Sequence, residues 1–304
     1  MPLTADEPSR RYGTARRIAR YSLIGVLPLI VAAAGVVAWL KLHEYELVFA
    51  TARSHSHLLK DLPADAERVS VPVSAGAGLA GLIFRADGAN DTGYWILQLH
   101  GNADSAFSTW QLRHCRALRQ VGFSVMDIDY RGFGMTPGVA SEAGMYEDAE
   151  AAYKALLLRG VPPNRIILLG HSLGSGPAVL LATRHPAAAL VLFGAFTSIP
   201  DAAADKYPLL PVRYVASVQF DSLARMHDVH MPVLIIHSRA DTLIPYSHAL
   251  HLIAAANEPK RLLTLDFPSD DGFGGHVDTL FEHLDVLKSA LAGLLPAPPQ
   301  ARDL

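Results

Sequence analysis

The sequence predicts an α/β fold with a mostly parallel, eight-stranded sheet and helices on both faces. Two observations lead to this prediction. Apolar, strand-like runs alternate with helical stretches from about residue 66 onwards, and the later runs are almost continuously apolar. Strands separated by helices lie parallel in one sheet, and a strand that is apolar on both sides needs helices over both faces.

The elements can be placed in order along the chain. Strands are predicted at Arg68–Val73, Leu79–Arg85, Tyr94–His100, Phe123–Tyr130, Arg165–Gly170, Ala189–Gly194, Val233–Ser238 and Arg261–Asp266. Helices are predicted at residues 105–121, 142–159, 174–185, 246–256 and 277–294. These elements form one domain over residues 66–294, after a juncture at residues 41–65 and before a flexible, Pro-rich tail at residues 295–304.

Residues 198–226 interrupt the alternation of strands and helices. They contain Pro200, Pro208 and Pro211 among apolar residues. Two interpretations stay open: a small cap that covers the active site and lines the substrate pocket, or a plain crossover packed on the sheet edge.

Composition narrows the class of protein further. Hydrophobic residues make up 50% of the 304 residues and charged residues 18%, so the chain has enough apolar surface for a large core. The formal net charge of -3, without a basic stripe beyond the N-terminus, argues against a nucleic-acid partner. The single cysteine, Cys115, excludes an intramolecular disulfide and is expected to be a buried apolar residue rather than a nucleophile.

The N-terminal region predicts a membrane anchor. Residues 21–40 carry no charge, and as a helix they would extend about 30 Å, the thickness of a bilayer core. Five arginines precede this run, so the positive-inside rule places the basic residues 1–20 in the cytoplasm and the remaining chain on the opposite, periplasmic or luminal/extracellular side. A cleaved signal peptide is the alternative, although its apolar region is usually shorter.

The strongest motif for chemistry is Gly-His-Ser-Leu-Gly at residues 170–174. It follows an apolar strand and precedes a helical run, which is the context of a nucleophilic serine on a sharp strand-to-helix turn. Glycines on both sides remove the Cβ atoms that would collide in such a turn. Ser172 is therefore the candidate nucleophile.

A serine nucleophile needs a histidine base and an acid that orients it, in the chain order Ser, Asp or Glu, His. Asp241 and His276 follow the last two strands, and open α/β sheets place their sites at such carboxyl ends. Alternative acids and histidines are Asp266, Asp270, Asp271, His171, His237, His55 with His57, and His248 with His251. The last two pairs have metal-like spacing but no further ligands nearby, so no metal site is expected.

Attack on a carbonyl creates an oxyanion, which backbone N–H groups stabilise. Leu173, directly after the nucleophile, is expected to supply one donor. The second donor is expected from the loop after the third strand, where Asn102 is the first candidate and Ala103 the alternative.

These motifs resemble those of the α/β-hydrolase superfamily over roughly residues 66–294. Their combination resembles the membrane-anchored branch named after a fungal bud-emergence protein. The matching segments are His100–Ala103, Asp129–Gly134, Gly170–Gly174, Phe220–Ser222, Asp241–Pro245 and Gly275 with His276. The resemblance implies an α/β-hydrolase fold and a serine hydrolase that acts on ester or thioester bonds without a cofactor. Some relatives remove acyl groups from lipidated proteins.

Two positions depart from the pattern of these relatives. Asp104 and Ser238 stand where relatives often carry glycine. An acidic side chain at position 104 would either disfavour negatively charged substrates or cap the following helix. The Asp129–Gly134 segment is interpreted as structural, with its arginine bracing a loop.

The sequence therefore predicts a serine hydrolase that cleaves carboxylic ester or thioester bonds through an acyl-enzyme, with Ser172, Asp241 and His276 as its triad. The expected partners are a small-molecule or lipid-like acyl substrate and the membrane, through the N-terminal helix. A peptidase of the same superfamily and a non-catalytic, membrane-tethered binding protein are the alternatives. Comparing the turnover of amides with that of esters distinguishes the peptidase from the ester hydrolase. A folded protein that turns over neither would support the binding protein.

Overall fold

The computed structural model describes residues 8–295 apart from 57, 60, 62, 75, 87, 267–271, 273 and 277–282, and gives only the backbone of residues 8–26, 29 and 89. The chain divides into two compact units, Met1–Glu44 and Tyr45–Leu304. From residue 296 onwards the predicted flexible tail lies outside the described residues, as does the first part of the helix predicted at residues 277–294.

One long helix, α1 (Pro8–Val48), contains the segment predicted to span a membrane. In the described part of the chain, no helix combines the length and the apolarity that crossing a membrane requires. The transmembrane anchor predicted at residues 21–40 is therefore not supported. The membrane topology deduced from it stays a prediction.

Eight strands form one sheet in the order β1-β2-β4-β3-β5-β6-β7-β8. They are β1 (Glu67–Val71), β2 (Leu79–Phe84), β3 (Trp95–Leu99), β4 (Ser124–Ile128), β5 (Ile166–His171), β6 (Ala189–Phe193), β7 (Val233–Ser238) and β8 (Lys260–Leu265). Only β1 with β2 and β2 with β4 pair antiparallel, whereas the other neighbours pair in parallel. The predicted eight-stranded, mostly parallel sheet is confirmed, and the strand ends differ from the prediction by at most two residues.

The helices that follow α1 are α2 (Thr51–Ser54), α3 (Thr109–Gln120), α4 (Glu142–Leu158), α5 (Ser175–Arg184), α6 (Ile199–Lys206), α7 (Val212–Val215), α8 (Ser222–Arg225), α9 (Ser247–Ala255) and α10 (Leu284–Ala292). Serine side chains cap the N-termini of three of them, α3, α4 and α6. The hydroxyl of Ser108 accepts from the N–H of Gln111 at the start of α3, and that of Ser141 accepts from Gly144 at the start of α4. Such caps satisfy backbone donors that have no partner inside the helix.

The core lies on both faces of the sheet. Leu97 and Leu99 of β3 belong to one buried cluster, which includes residues of α4 and α5, whereas Ile96 belongs to a second cluster, which includes residues of α3 and α10. Because successive residues of a strand point to opposite faces, each face has its own apolar layer under helices. The parallel strands β3, β5, β6 and β7 therefore present their carboxyl ends at one rigid edge.

The segment at residues 198–226 consists of α6, α7 and α8. Its end is fastened to the core, because the carboxylate of Glu142 accepts from the N–H groups of Gln219 and Phe220 at 2.7 and 2.8 Å, and the Phe220 side chain is fully buried. Its middle is more open, since the side chains of Leu209 and Tyr214 are 95% and 92% exposed. The segment is thus a crossover from β6 to β7 that also carries exposed residues.

Candidate active site

The candidate nucleophile lies on a strained turn between β5 and α5. Ser172 has a φ of +48°, an uncommon value for a residue with a side chain. A Cβ atom at Gly170 would lie 2.7 Å from the Cβ of Ala178, and one at Gly174 would collide with the carbonyl oxygen of Leu99. Only glycine fits at both flanks, so the predicted reason for these two glycines is confirmed.

The structure brings the three residues of the predicted triad together. The Oγ of Ser172 lies 2.9 Å from the Nε2 of His276, and the Nδ1 of His276 lies 2.7 Å from the Oδ2 of Asp241. Both Asp241 and His276 are buried, whereas Ser172 is partly exposed. A continuous hydrogen-bonded chain therefore runs from an accessible hydroxyl to a buried carboxylate. This arrangement polarises the hydroxyl and leaves it open to a substrate.

Four donors surround the carboxylate of Asp241. Its Oδ1 accepts from the backbone N–H groups of Leu243 and Ile244 at 2.9 and 2.8 Å, and its Oδ2 lies 3.3 Å from the Nε2 of His237 as well as 2.7 Å from His276. Burial opposes ionisation, but the hydrogen bonds from His237 and His276 outweigh it and hold the pKa of Asp241 below its ordinary value. The carboxylate is therefore ionised at neutral pH and can hold an imidazolium.

Two histidines that the sequence analysis set aside support this arrangement. His237 lies inside β7, as predicted, and its Nε2 contacts the carbonyl oxygen of Ile244 at 2.8 Å besides Asp241. The Nε2 of His171 donates to the backbone carbonyl oxygen of His276 at 3.0 Å, and its ring stacks on Phe193. Burial, and secondarily the proximity of His276, lower the pKa of His171 to about 3, so it is neutral. In the sequence, only the position of His171 next to Ser172 pointed to a role for His171 at the site.

The loop that carries His276 is held against the ends of β6 and β7. The hydroxyl of Ser238 donates to the carbonyl oxygen of Gly274 at 2.6 Å, two residues before His276. A Cβ atom at Gly194 would lie 2.9 Å from the Cε1 of His276, so the backbone of position 194 contacts the ring directly. Ser238, which stands where relatives often carry glycine, therefore fixes the backbone just before His276.

The predicted oxyanion loop lies beside the nucleophile. A Cβ atom at Gly101 would lie 3.4 Å from the Cβ of Ser172. The side chain of Asn102 accepts from the N–H of Ala103 at 3.1 Å, so this N–H already has a partner. Among the described residues, the backbone N–H of Asn102 donates to no protein acceptor. Of the two candidates for the second oxyanion donor, Asn102 is thus the one whose N–H is open to a ligand.

The Asn102 side chain also joins this loop to the segment that follows α1. Its Oδ1 accepts from the N–H of Ala50 at 2.8 Å, and its Nδ2 donates to the carbonyl oxygen of Val48 at 2.8 Å. Sequence reasoning assigned only the backbone of Asn102. The two hydrogen bonds link residues that are separated by 52 and 54 positions in the sequence, so no local pattern predicts them.

The Asp129–Gly134 segment stabilises the loop that follows β3 through buried hydrogen bonds. The carboxylate of Asp129 accepts from the N–H groups of Ala106 and Met135 at 2.8 and 2.6 Å. Burial opposes a charge on His100, but Asp129 and Asp127 outweigh it and raise the pKa of His100 to about 9. Arg131 pairs with Asp148 at 2.7 Å, so the predicted bracing role of this arginine is confirmed.

The competing residues have other contacts. The exposed Asp266 pairs with Arg239 at 3.0 Å, and His248 lies 2.9 Å from Asp205, whereas Asp270, Asp271 and His57 lie outside the described residues. Cys115 is fully buried, as predicted, and burial raises the pKa of its thiol well above the ordinary value. Within the described ranges no group of three or more His, Cys, Asp or Glu side chains is arranged to hold a metal ion.

An open cleft of about 1150 Å³ lies in front of the triad. Ser172 and His276 form part of its wall, together with the loop at residues 101–104. Tyr45, Leu47, Phe49, Leu58 and Leu243 supply apolar surface, and Lys206 and Tyr207 of the 198–226 segment lie at its margin. The predicted contribution of that segment to the pocket is thus limited to these two side chains.

Several known proteins are similar to this chain in sequence or in architecture. The sequence matches one protein family, described as serine aminopeptidase, S33, over residues 94–219. An uncharacterised protein of Mycobacterium tuberculosis (strain ATCC 25618 / H37Rv) is 35% identical over 252 residues, which cover 82% of this chain and 88% of that protein. The lysophosphatidylserine lipase ABHD12 of Danio rerio is 31% identical over 185 residues, which cover 55% of this chain and 48% of that protein.

A solved esterase of Pyrococcus furiosus, Pf2001, superposes with a TM-score of 0.62 at 17% identity, covering 79% of this chain and 95% of that one. The fold and the matched family define a hydrolase built on a doubly wound sheet. The chain belongs to the α/β-hydrolase superfamily. Its resemblance to the bud-emergence branch stays a prediction.

Proposed function

We propose that this chain is a serine hydrolase that cleaves carboxylic ester or thioester bonds through an acyl-enzyme. The observation that carries the proposal is the chain of contacts from the Ser172 hydroxyl through His276 to Asp241, at 2.9 and 2.7 Å. These distances fall within the range in which a base removes a proton from a nucleophile.

The geometry supports a two-step reaction. The Oγ of Ser172 attacks the carbonyl carbon while the Nε2 of His276 takes the hydroxyl proton, and Asp241 stabilises the resulting imidazolium. The tetrahedral intermediate expels the alcohol or thiol, which leaves with the proton from His276. Water then attacks the acyl-enzyme with His276 as the base, and the acid departs.

The developing oxyanion needs donors that are already in place. We assign the backbone N–H groups of Leu173 and Asn102 to this role, because the first follows the nucleophile and the second has no protein acceptor among the described residues. Each such donor is worth about 3 kcal/mol of transition-state stabilisation.

Labelling with a fluorophosphonate probe tests the proposal directly. Wild-type protein is expected to form a covalent adduct on Ser172 and to hydrolyse short acyl esters. Ser172→Ala is expected to lose the adduct and to lower kcat by about 10⁴-fold or more. Ser70→Ala, which removes an exposed hydroxyl on β1, serves as the matched control and should label normally. Undiminished labelling of Ser172→Ala would defeat the proposal.

A peptidase is the second candidate, because the matched family is described as serine aminopeptidase, S33. The ester assignment is preferred, since a relative is a lysophosphatidylserine lipase and apolar side chains such as Phe49, Leu58 and Leu243 line the cleft in front of Ser172. Comparison of p-nitrophenyl esters with aminoacyl p-nitroanilides separates the two. Higher kcat/KM on the anilides would favour the peptidase.

A further inference from the structure

The cleft in front of Ser172 carries three cationic side chains. Arg53, Arg113 and Lys206 line it together with Ser172 and His276, and all three are exposed to solvent. Within the part of the chain that the structure describes, none of the three forms an ion pair with a carboxylate. Their charge is therefore available to a molecule that enters the cleft.

Aromatic rings hold two of these cations at the wall. The guanidinium of Arg113 lies 5.5 Å from the centroid of the Trp110 ring, and the ammonium of Lys206 lies 5.7 Å from the centroid of the Tyr207 ring. Both rings also line the cleft. Because a cation over an aromatic face gains about 0.5–1 kcal/mol at an exposed site, these charges stay close to the cleft.

The acidic residues of the cleft do not cancel this charge. They are Glu46 and Asp104. The Oδ1 of Asp104 accepts from the N–H of Ser105 at 2.8 Å and from the hydroxyl of Ser108 at 2.5 Å, which places its charge on the loop before α3. Of the two roles expected for Asp104, helix support is the one that these contacts provide. Three cations against these two carboxylates leave the cleft with a net positive charge.

We propose that the natural substrate is an acyl ester that carries an anionic group, a phosphate or a carboxylate. Arg53, Arg113 and Lys206 bind this group, while apolar side chains such as Phe49 and Leu58 contact the acyl chain. The proposal rests on the ester hydrolase function and names its substrate class. The three cations come from three separate elements, α2, α3 and α6.

Two pairs of esters test this substrate class and locate the anion. A monoacylglycerol is compared with the acylglycerol phosphate of the same chain, which carries its charge on the alcohol side. The p-nitrophenyl ester of a fatty acid is compared with that of a dicarboxylic half-ester, which carries its charge on the acyl side. The anionic member of at least one pair should have a kcat/KM about tenfold higher. This preference should shrink as ionic strength rises from about 20 mM to about 500 mM.

Substitution of the cations tests whether these residues cause the preference. Each exposed ion pair changes binding roughly two- to fivefold, so the combined Arg53→Gln, Arg113→Gln and Lys206→Gln variant should lose about tenfold on the anionic ester. Its kcat/KM on the neutral ester should fall by much less than on the anionic ester, and an unchanged Tm together with fluorophosphonate labelling reports that the protein is folded. Arg184→Gln, an exposed cation on α5 that does not line the cleft, should keep the preference.

Equal kcat/KM on both members of both pairs, or a preference that survives the triple substitution, would overturn the substrate class. Turnover of the neutral esters and fluorophosphonate labelling would then still support the ester hydrolase. A wild-type protein that neither labels nor hydrolyses any of the four esters would overturn both proposals.

Discussion

The imidazole of His276 is positioned by residues that do not themselves react. Ser238 and His171 hold the backbone on either side of its Cα, through Gly274 and through the carbonyl oxygen of His276 itself. Asp241 holds the ring. Reacting groups must be placed within fractions of an ångström, so loosening the backbone should slow the reaction without changing the triad.

Ser238 provides the first test at this scale. Ser238→Ala removes the hydroxyl that donates to Gly274 at 2.6 Å. We expect kcat on a neutral ester to fall several-fold and the free energy of unfolding to fall by about 1 kcal/mol, the usual contribution of one hydrogen bond. Thr183→Val removes a comparable hydroxyl-to-carbonyl bond on α5 and should affect stability alone. An unchanged kcat for Ser238→Ala would refute the positioning role.

His171 provides the second test, through pH. Its pKa is lowered by burial from the ordinary 6.5 to about 3, so below pH 6.5 the unfolded chain binds a proton that the folded protein excludes. The stability due to neutral His171 is therefore complete above about pH 6.5 and is lost as pH falls towards 3, by about 1.4 kcal/mol per pH unit. The glutamine of His171→Gln cannot titrate. Chemical denaturation should therefore show that the difference in free energy of unfolding between wild type and this variant shrinks as pH falls from about 6.5 to 4.5. A difference that is constant with pH would contradict this.

Sequence alone predicts the residues of the candidate triad better than the residues that support them. Ser172 follows from a local motif. Asp241 and His276 follow from chain order, because they come after β7 and β8, the last two strands. The roles of His237 and His171 depend on contacts across the folded sheet, and His171 meets position 276 from 105 residues away. Local patterns carry no information about such contacts.

At the scale of elements, the loop after β3 and the end of α1 form one unit through the Asn102 amide. The amide satisfies the backbone groups of Val48, Ala50 and Ala103 at once. The conformation of Ala103, with a φ of +62°, is unusual for a residue other than glycine and needs such support. The side chain of Asn102 therefore fixes the direction of the N–H groups in this loop.

We expect Asn102→Ala to lower kcat by about 10- to 100-fold with little change in KM, because a misdirected oxyanion donor weakens binding of the transition state and not of the substrate. Asn257→Ala is the matched control. Its amide holds two carbonyl oxygens, those of His227 and Val229, at 2.7 and 2.9 Å, and it does not line the cleft. Both variants should lose stability, and equal kcat values for the two would refute the role of Asn102.

Elements differ in how well the sequence predicts them. The strands were predicted to within two residues, because a buried parallel strand is a short apolar run with clear ends. The 198–226 segment offered no such pattern. Its course depends on the burial of Phe220 and on the bonds from Gln219 and Phe220 to Glu142, which lies 77 and 78 residues away.

At the scale of the whole molecule, the compact unit that contains the site begins at Tyr45, upstream of the predicted domain start at residue 66. Three contacts of the intervening residues explain this. Phe49 is 3% exposed and its ring meets that of Phe220, the hydroxyl of Ser54 accepts from the N–H of Gly134 at 3.0 Å, and the Tyr45 hydroxyl accepts from the N–H of Ala140 at 3.3 Å. The sequence predicts only a polar juncture at residues 41–65, since these long-range contacts leave no mark on the local pattern.

Two truncated chains decide where the hydrolase unit begins. A chain of residues 45–304 keeps these contacts and should unfold cooperatively, label with fluorophosphonate and hydrolyse neutral esters like the full chain. A chain of residues 66–304 lacks Phe49. Its free energy of unfolding should be lower by about 3–5 kcal/mol, the usual loss when a buried phenylalanine is removed from a core. It also loses Val48 and Ala50, the partners of Asn102, so kcat should fall beyond what reduced stability explains. If both chains had the same Tm and the same kcat, the unit would begin at residue 66 as the sequence predicts, and the end of α1 would be dispensable for the oxyanion loop.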